Sequence, residues 1–221
     1  DYSGSRGLGD VYKRQLFFLL LIAALSHAIC HSILKYNKNP LGILGVTSIF
    51  EIIIFTPLVL TVPMPTPYIW ILIIVSSILH GFYRLLVIFS YDYGDLSFIY
   101  PIARGTSSLL LVIISLIYLT DKISLLGFIA IIIVCMGLFL ISYSDKIKFN
   151  YSAFGLGFLT AIMITAYTLV DGIGVRHSEN PFSFLYWMLL LNGTPALIAS
   201  FFFKNNGLRT VNKNLIFTGM A

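Results

Sequence analysis

Tyr91-Asp92-Tyr93-Gly94-Asp95-Leu96-Ser97-Phe98-Ile99-Tyr100-Pro101-Ile102-Ala103-Arg104-Gly105 places two carboxylates, a proline and an arginine at the start of an otherwise apolar run. Charge and a broken hydrogen-bond ladder are costly in hydrocarbon, so such a patch is expected to line a path for a solute rather than face lipid. Transport is the leading expectation from this segment.

Working outward, the chain holds seven apolar stretches of roughly membrane-spanning length, at 16–36, 41–62, 68–91, 96–118, 123–143, 153–175 and 181–203. Hydrophobic residues make up 58% of the chain and charged residues 10%, whereas about a quarter of a soluble domain is charged. Backbone groups in lipid must be hydrogen-bonded within their own segment, so each stretch is expected to be a helix and the fold an all-α integral membrane bundle. The connections are short and hold turn formers and charges: Asn37 to Pro40, Pro63 to Pro67, Asp92 to Asp95, Asp121-Lys122 and Ser144 to Asn150. No soluble domain fits between them.

Both ends stand apart. Residues 1–15 begin without Met, lack apolar periodicity and end in Val11-Tyr12-Lys13-Arg14-Gln15, which reads as a non-native adapter segment to be kept out of fold reasoning. Leu215 to Ala221 opens a further apolar run far short of the ~20 residues a span requires, so the chain reads as a fragment ending within an eighth span. The net charge of +5 owes three basic residues to the doubtful N-terminal segment, which argues against a nucleic-acid partner.

Laid on itself with an offset of 141 residues, the chain brings Asn39-Pro40 onto Asn180-Pro181, Phe17 onto Phe158 and Lys35 onto Arg176. This divides it into a five-span unit at 16–150 and the start of a second at 151–221. A unit with an odd number of spans re-enters the membrane inverted, and inverted repeats place a transporter's substrate near the midplane between the copies. Lys35, Lys38, Lys146, Lys148, Lys204, Arg209 and Lys213 lie in the odd-numbered connections, against Lys122 and Arg176 in the even ones. By the positive-inside rule the odd connections would be cytoplasmic.

Glu51 lies mid-span in the second stretch, where a carboxylate calls for a cation or a proton; it is expected to face a central cavity, with hydrogen bonding to a neighbouring helix as the plain alternative. Arg84 and Arg104 each have a tyrosine nearby, Tyr83 and Tyr100, and a guanidinium offers a planar fork to a carboxylate or phosphate. Arg84 is expected to pair with Glu51 or snorkel, and Arg104 to bind an anion. Pro101 and Gly105 are expected to break or kink the fourth span. Tyr167 and Asp171 complete the candidates, Asp171 within the last turn or so of its span and open to water in its plainest reading; Asn192 and Trp187 read as interhelical glue and packing.

His27 and His31 stand at i, i+4, yet no Glu follows in a metalloprotease pattern and no carboxylate or Cys is suitably placed, so helix packing is expected rather than a metal, and His80 is read alike. Cys30 and Cys135 read as small buried hydrophobes. No cofactor is implied. A homodimer is compatible with the composition, although no uninterrupted Gly-x-x-x-Gly face argues for one.

Ala24 to Lys35, Ser90 to Gly105 and Ala166 to Arg176 resemble the EamA family of the drug/metabolite transporter superfamily, most specifically over 91–105. The resemblance implies ten helices in two inverted five-span repeats and a carrier of small metabolites in the bacterial inner membrane, often an exporter. It also implies a Glu after span four, where this chain has Asp121-Lys122, and a cytoplasmic N-terminus, against the loop charges. A secondary carrier of amino acids or other organic ions, and not an enzyme, is the expected function. A membrane-embedded lipid-modifying enzyme should instead show a dense polar cluster at one interface, and an assembly subunit would need neither a midplane carboxylate nor a broken helix.

Overall fold

A computed structural model describes the backbone of residues 3–119, 124–142 and 150–202. Within these residues eight α-helices and no strand are found: α1 Ser3–Tyr36, α2 Pro40–Val59, α3 Pro67–Tyr93, α4 Leu96–Ile114, α5 Leu125–Ser142, α6 Tyr151–His177, α7 Pro181–Asn192 and α8 Thr194–Phe202. Six stretches are long and apolar enough to cross a membrane, among them Pro181–Phe202, which joins α7 and α8, while the apolar part of α5 is shorter. The architecture is an all-α multi-span membrane bundle. Asp121-Lys122, the lysines at 146, 148, 204 and 213, Arg209 and the apolar run from Leu215 lie outside the described residues.

The helix boundaries follow local chemistry. Asn39, Asn150 and Asn180 are N-caps whose side chains accept from the backbone N–H groups of Gly42, of Ser152 and Ala153, and of Phe182, and α2, α3 and α7 each open on a proline. An asparagine cap satisfies one of the donors a helix start leaves bare, and proline there forfeits a donor that has no partner anyway. At the other end of α3, the Lys35 ammonium donates to the carbonyls of Tyr91 and Gly94, a cation placed where carbonyls are orphaned.

α3 is the centre of the bundle. It packs on α6, α7 and α8; α4 lies between α5 and α6; α2 closes against α7 and α8. α3 supplies residues to all three apolar clusters: Tyr83, Val87 and Tyr91 with α4 and α6, Ile88 with α1, α2 and α8, and Ile69 and Ile73 with Phe184 and Met188 of α7. Many buried hydroxyls bond back to their own helix, as Ser48 does to Leu44, Ser77 to Ile73 and Thr160 to Leu156. This satisfies them where no water is at hand. The large apolar side chains left exposed on α1 and α5, such as Leu16 to Ile22 and Ile133, Val134 and Met136, suit contact with lipid.

Two sequence expectations are corrected. α4 runs through Pro101 without a break and gives way only at Ser115–Leu119, a π-helical turn. Pro101 is the sixth residue of the helix, so its missing N–H costs one bond in the second turn and leaves the rest of the ladder intact. Gly105 does not loosen α4 either: its open side faces Leu138 and Phe139 of α5, and its carbonyl accepts from the Cys135 thiol at 3.4 Å. The interrupted helix is the seventh stretch, where α7 stops at Asn192 and α8 restarts at Thr194. The break satisfies itself, since the Gly193 and Thr194 groups bond to the Leu191 carbonyl and the Gly193 carbonyl accepts from Leu197.

Candidate functional site

A stripe of polar and aromatic side chains runs along α3: Ser76, His80, Tyr83, Arg84 and Tyr91. From Ser76 to Tyr91 it covers about 22 Å at the rise of an α-helix, most of a ~30 Å hydrocarbon core. Three groups of contacts branch from it.

The first is an ion pair. Arg84 Nη2 donates to Glu51 Oε1 at 2.6 Å and Nη1 to Oε2 at 3.1 Å, a fork-to-fork arrangement between half-buried partners on α3 and α2. The pair sits against the α7/α8 break: a Cβ at Gly193 would stand 2.6 Å from Glu51 Oε2 and 2.8 Å from Ser48 Cβ. Only glycine lets α2 and the break approach this closely. Asn192 is buried beside it with an unpartnered Oδ1, and the Trp187 indole N–H, edge-on to Trp70 at 4.9 Å, is likewise unpartnered.

The second joins α1, α3 and α4. Tyr91 donates its hydroxyl hydrogen to His31 Nδ1 at 2.6 Å, His31 Nε2 lies 3.0 Å from His27 Nε2, and Arg104 donates to that same His27 nitrogen. A guanidinium can only donate, so His27 Nε2 accepts and the hydrogen between the rings belongs to His31. Tyr83 stands 3.4 Å from His31, the Tyr100 ring meets His31 edge-on at 5.1 Å, and Arg104 lies 5.7 Å from the centre of Tyr100. Arg104 also interacts with the Tyr100 and Tyr167 hydroxyls. Among the described residues no carboxylate forms an ion pair with Arg104.

The third joins α3 to α6. Ser76 donates to Asp171 Oδ1, and Asp171 Oδ2 lies 3.8 Å from His80 Nε2. His80 Nδ1 donates to the Ser76 carbonyl at 3.0 Å, and its ring stacks on Tyr167 at 3.9 Å and 29°. Asp171 is thus not a boundary carboxylate in the last turn. α6 continues six residues beyond it to His177, and α3 supplies its partners.

Two spaces adjoin these groups. A cavity of about 590 Å³ lies between α1, α4 and α5, lined by His31, Tyr36, Asp95, Tyr100, Pro101 and Leu138 among others. A void of about 10 Å³ lies deeper, walled by Tyr83, Tyr91, Arg104 and Thr160. His31 and Tyr100 line both, and so stand as the partition between the cavity and the guanidinium.

The candidates named from sequence therefore fall into separate groups. Tyr100, Arg104 and Tyr167 come together, Tyr167 links them to Asp171, Pro101 lines the outer cavity, and Glu51, Arg84 and Asn192 gather at the helix break. His27, His31 and His80, read from sequence as helix packing, join these groups of contacts, as does Tyr91 of the 91–105 segment; the i, i+4 pair on an apolar helix was the available signal. Among the described residues no three of His, Cys, Asp and Glu gather as a metal site would require. Set against family models, curated proteins and solved structures, the chain matches none.

Proposed function

We propose that this chain is a secondary carrier of small organic anions or zwitterions that works by alternating access, in the manner its resemblance to the EamA family implies. The observation that carries the proposal is Arg104: a half-buried guanidinium in a membrane bundle, held by His27 and tyrosines rather than by a carboxylate. A lone cation in low dielectric is costly unless a counter-charge visits it. A substrate carboxylate supplies that charge and takes the fork bidentately. Tyr83, Tyr100 and Tyr167 offer aromatic walls, and the outer cavity is of ligand size. Movement of Tyr100 and His31 opens the guanidinium to that cavity.

The internal repeat supports alternating access. Under the same offset of 141 residues, the helix ends at Tyr36 and His177 and the Asn-Pro starts of α2 and α7 coincide. Glu51 falls on Asn192, and its carboxylate lies beside the adjacent Gly193. Elements that meet their own counterparts lie on the axis about which inverted repeats rock. The bacterial inner membrane is the location this reading assigns.

The test is efflux of a mixed metabolite pool from sealed vesicles carrying the full chain, followed by mass spectrometry. Depletion of carboxylates by wild type and its loss in Arg104→Gln supports the proposal. Equal depletion by both, or no depletion by wild type, refutes it.

A further inference from the structure

We infer that His80 and Asp171 form a proton-exchange site coupled to the anion at Arg104, so that substrate anion and proton travel together; this rests on the carrier reading above. His80 Nδ1 is committed to the Ser76 carbonyl, so Nε2 is the nitrogen left to face the Asp171 carboxylate at 3.8 Å. Without a proton between them a lone pair faces an anion. With one, the two share it as imidazolium and carboxylate or as imidazole and carboxylic acid, so the pair exchanges a single proton by making or breaking one N–H or O–H bond.

The coupling follows from charge. Glu51 and Arg84 cancel each other. With the substrate site empty, Arg104 carries one positive charge and the unprotonated His80–Asp171 pair one negative charge, and the interior is neutral. An anion on Arg104 makes the interior negative by one, and uptake of one proton by the pair restores neutrality. Net charge inside a low-dielectric bundle is expensive, so the two ligands favour each other's binding, and reciprocity requires the effect to run both ways. Tyr167 connects the sites physically, its ring stacked on His80 and its hydroxyl interacting with Arg104.

The other groups around the pair do not break this balance. Arg84 and Tyr83 of α3 lie near it, the former held by Glu51 of α2. From α4 come Arg104 and Tyr100, and from α1 the histidines bonded to one another. α7 packs on α3 through Phe184 and Met188, and α8 meets it at Gly81 through Pro195.

The experiment uses the full chain in nanodiscs, with benzoate as a probe that combines a carboxylate with an aromatic ring. Proton uptake on benzoate binding is read with an indicator dye in weak buffer, and the carboxyl region is read by infrared difference spectroscopy across pH without ligand. Wild type should take up a proton with each benzoate and show a pH-dependent change in its carboxyl bands, either a carboxylic-acid band or a shifted carboxylate band. Asp171→Asn should lose both yet still bind benzoate, and His80→Gln, which leaves the carboxylate without its imidazole partner, should bind benzoate and shift the pH at which uptake occurs. Undiminished uptake in Asp171→Asn, or an infrared spectrum that this substitution leaves unchanged, overturns the proton site. Benzoate bound through Arg104 without uptake in wild type overturns the coupling and leaves the carrier reading standing. Equal binding by wild type and Arg104→Gln overturns the anion site and the coupling with it.

Discussion

Glu51→Gln keeps the size of the side chain and removes its charge, leaving Arg84 with an amide oxygen in place of a carboxylate. The fork it disrupts has contacts of 2.6 and 3.1 Å, with side chains only 16% and 26% exposed. Opposite charges about 4 Å apart attract by about 4 kcal/mol at an effective dielectric constant near 20. Residual hydrogen bonding to the amide and partial access of solvent reduce the expected loss to about 2–3 kcal/mol, below the ~3–5 kcal/mol of fully buried pairs. Arg84→Gln should cost a similar amount, because it strands a carboxylate against Gly193 and Ser48. The double variant should cost less than the sum of the singles by about 1.5–2 kcal/mol, since neither charge is then left alone. Unfolding by sodium dodecyl sulfate in mixed micelles, followed by far-ultraviolet circular dichroism, gives all four corners of the cycle. Single effects that add to within about 0.5 kcal/mol would show that the pair does not couple α2 to α3.

Gly193→Ala should destabilise by about 1–3 kcal/mol in the same assay, because the new methyl meets Glu51 and Ser48 well inside contact distance; wild-type stability would refute the close approach. Tyr91→Phe leaves buried His31 without its 2.6 Å partner and should cost about 1–2 kcal/mol, more than Tyr83→Phe, which loses a contact of 3.4 Å. Equal costs would mean that the Tyr91 bond is not what fixes His31. Arg104→Lys keeps the charge and loses the fork, so benzoate affinity measured by calorimetry should fall about tenfold; unchanged affinity would exclude bidentate binding.

Helix positions were legible because hydropathy and the Asn-Pro starts are local properties, and α2 and α7 begin where those residues stand. The break expected at Pro101 does not occur because the effect depends on depth in the helix: in the second turn the proline removes one bond and the helix continues past it. The true interruption was hidden because Asn192-Gly193-Thr194 sits inside an apolar run, and what Gly193 answers to is Glu51 on another helix. Asp171 shows the same limit. From its own span it read most plainly as a carboxylate open to water, yet Ser76, 95 residues away, holds it because α3 and α6 lie side by side. Arg84 with Glu51 could be inferred, since a lone carboxylate and a lone guanidinium on apolar helices each need the other.

α1 is tied to the bundle largely through polar contacts. His27, His31 and Lys35 reach Arg104, Tyr91 and the end of α3, while Leu34 adds its main apolar anchor. Each of those polar partners is synthesised after α1. Helices that insert singly and associate afterwards must wait for them, so α1 docks only once α3 and α4 are in the bilayer, and the bundle is closed by the first of its described helices to be made.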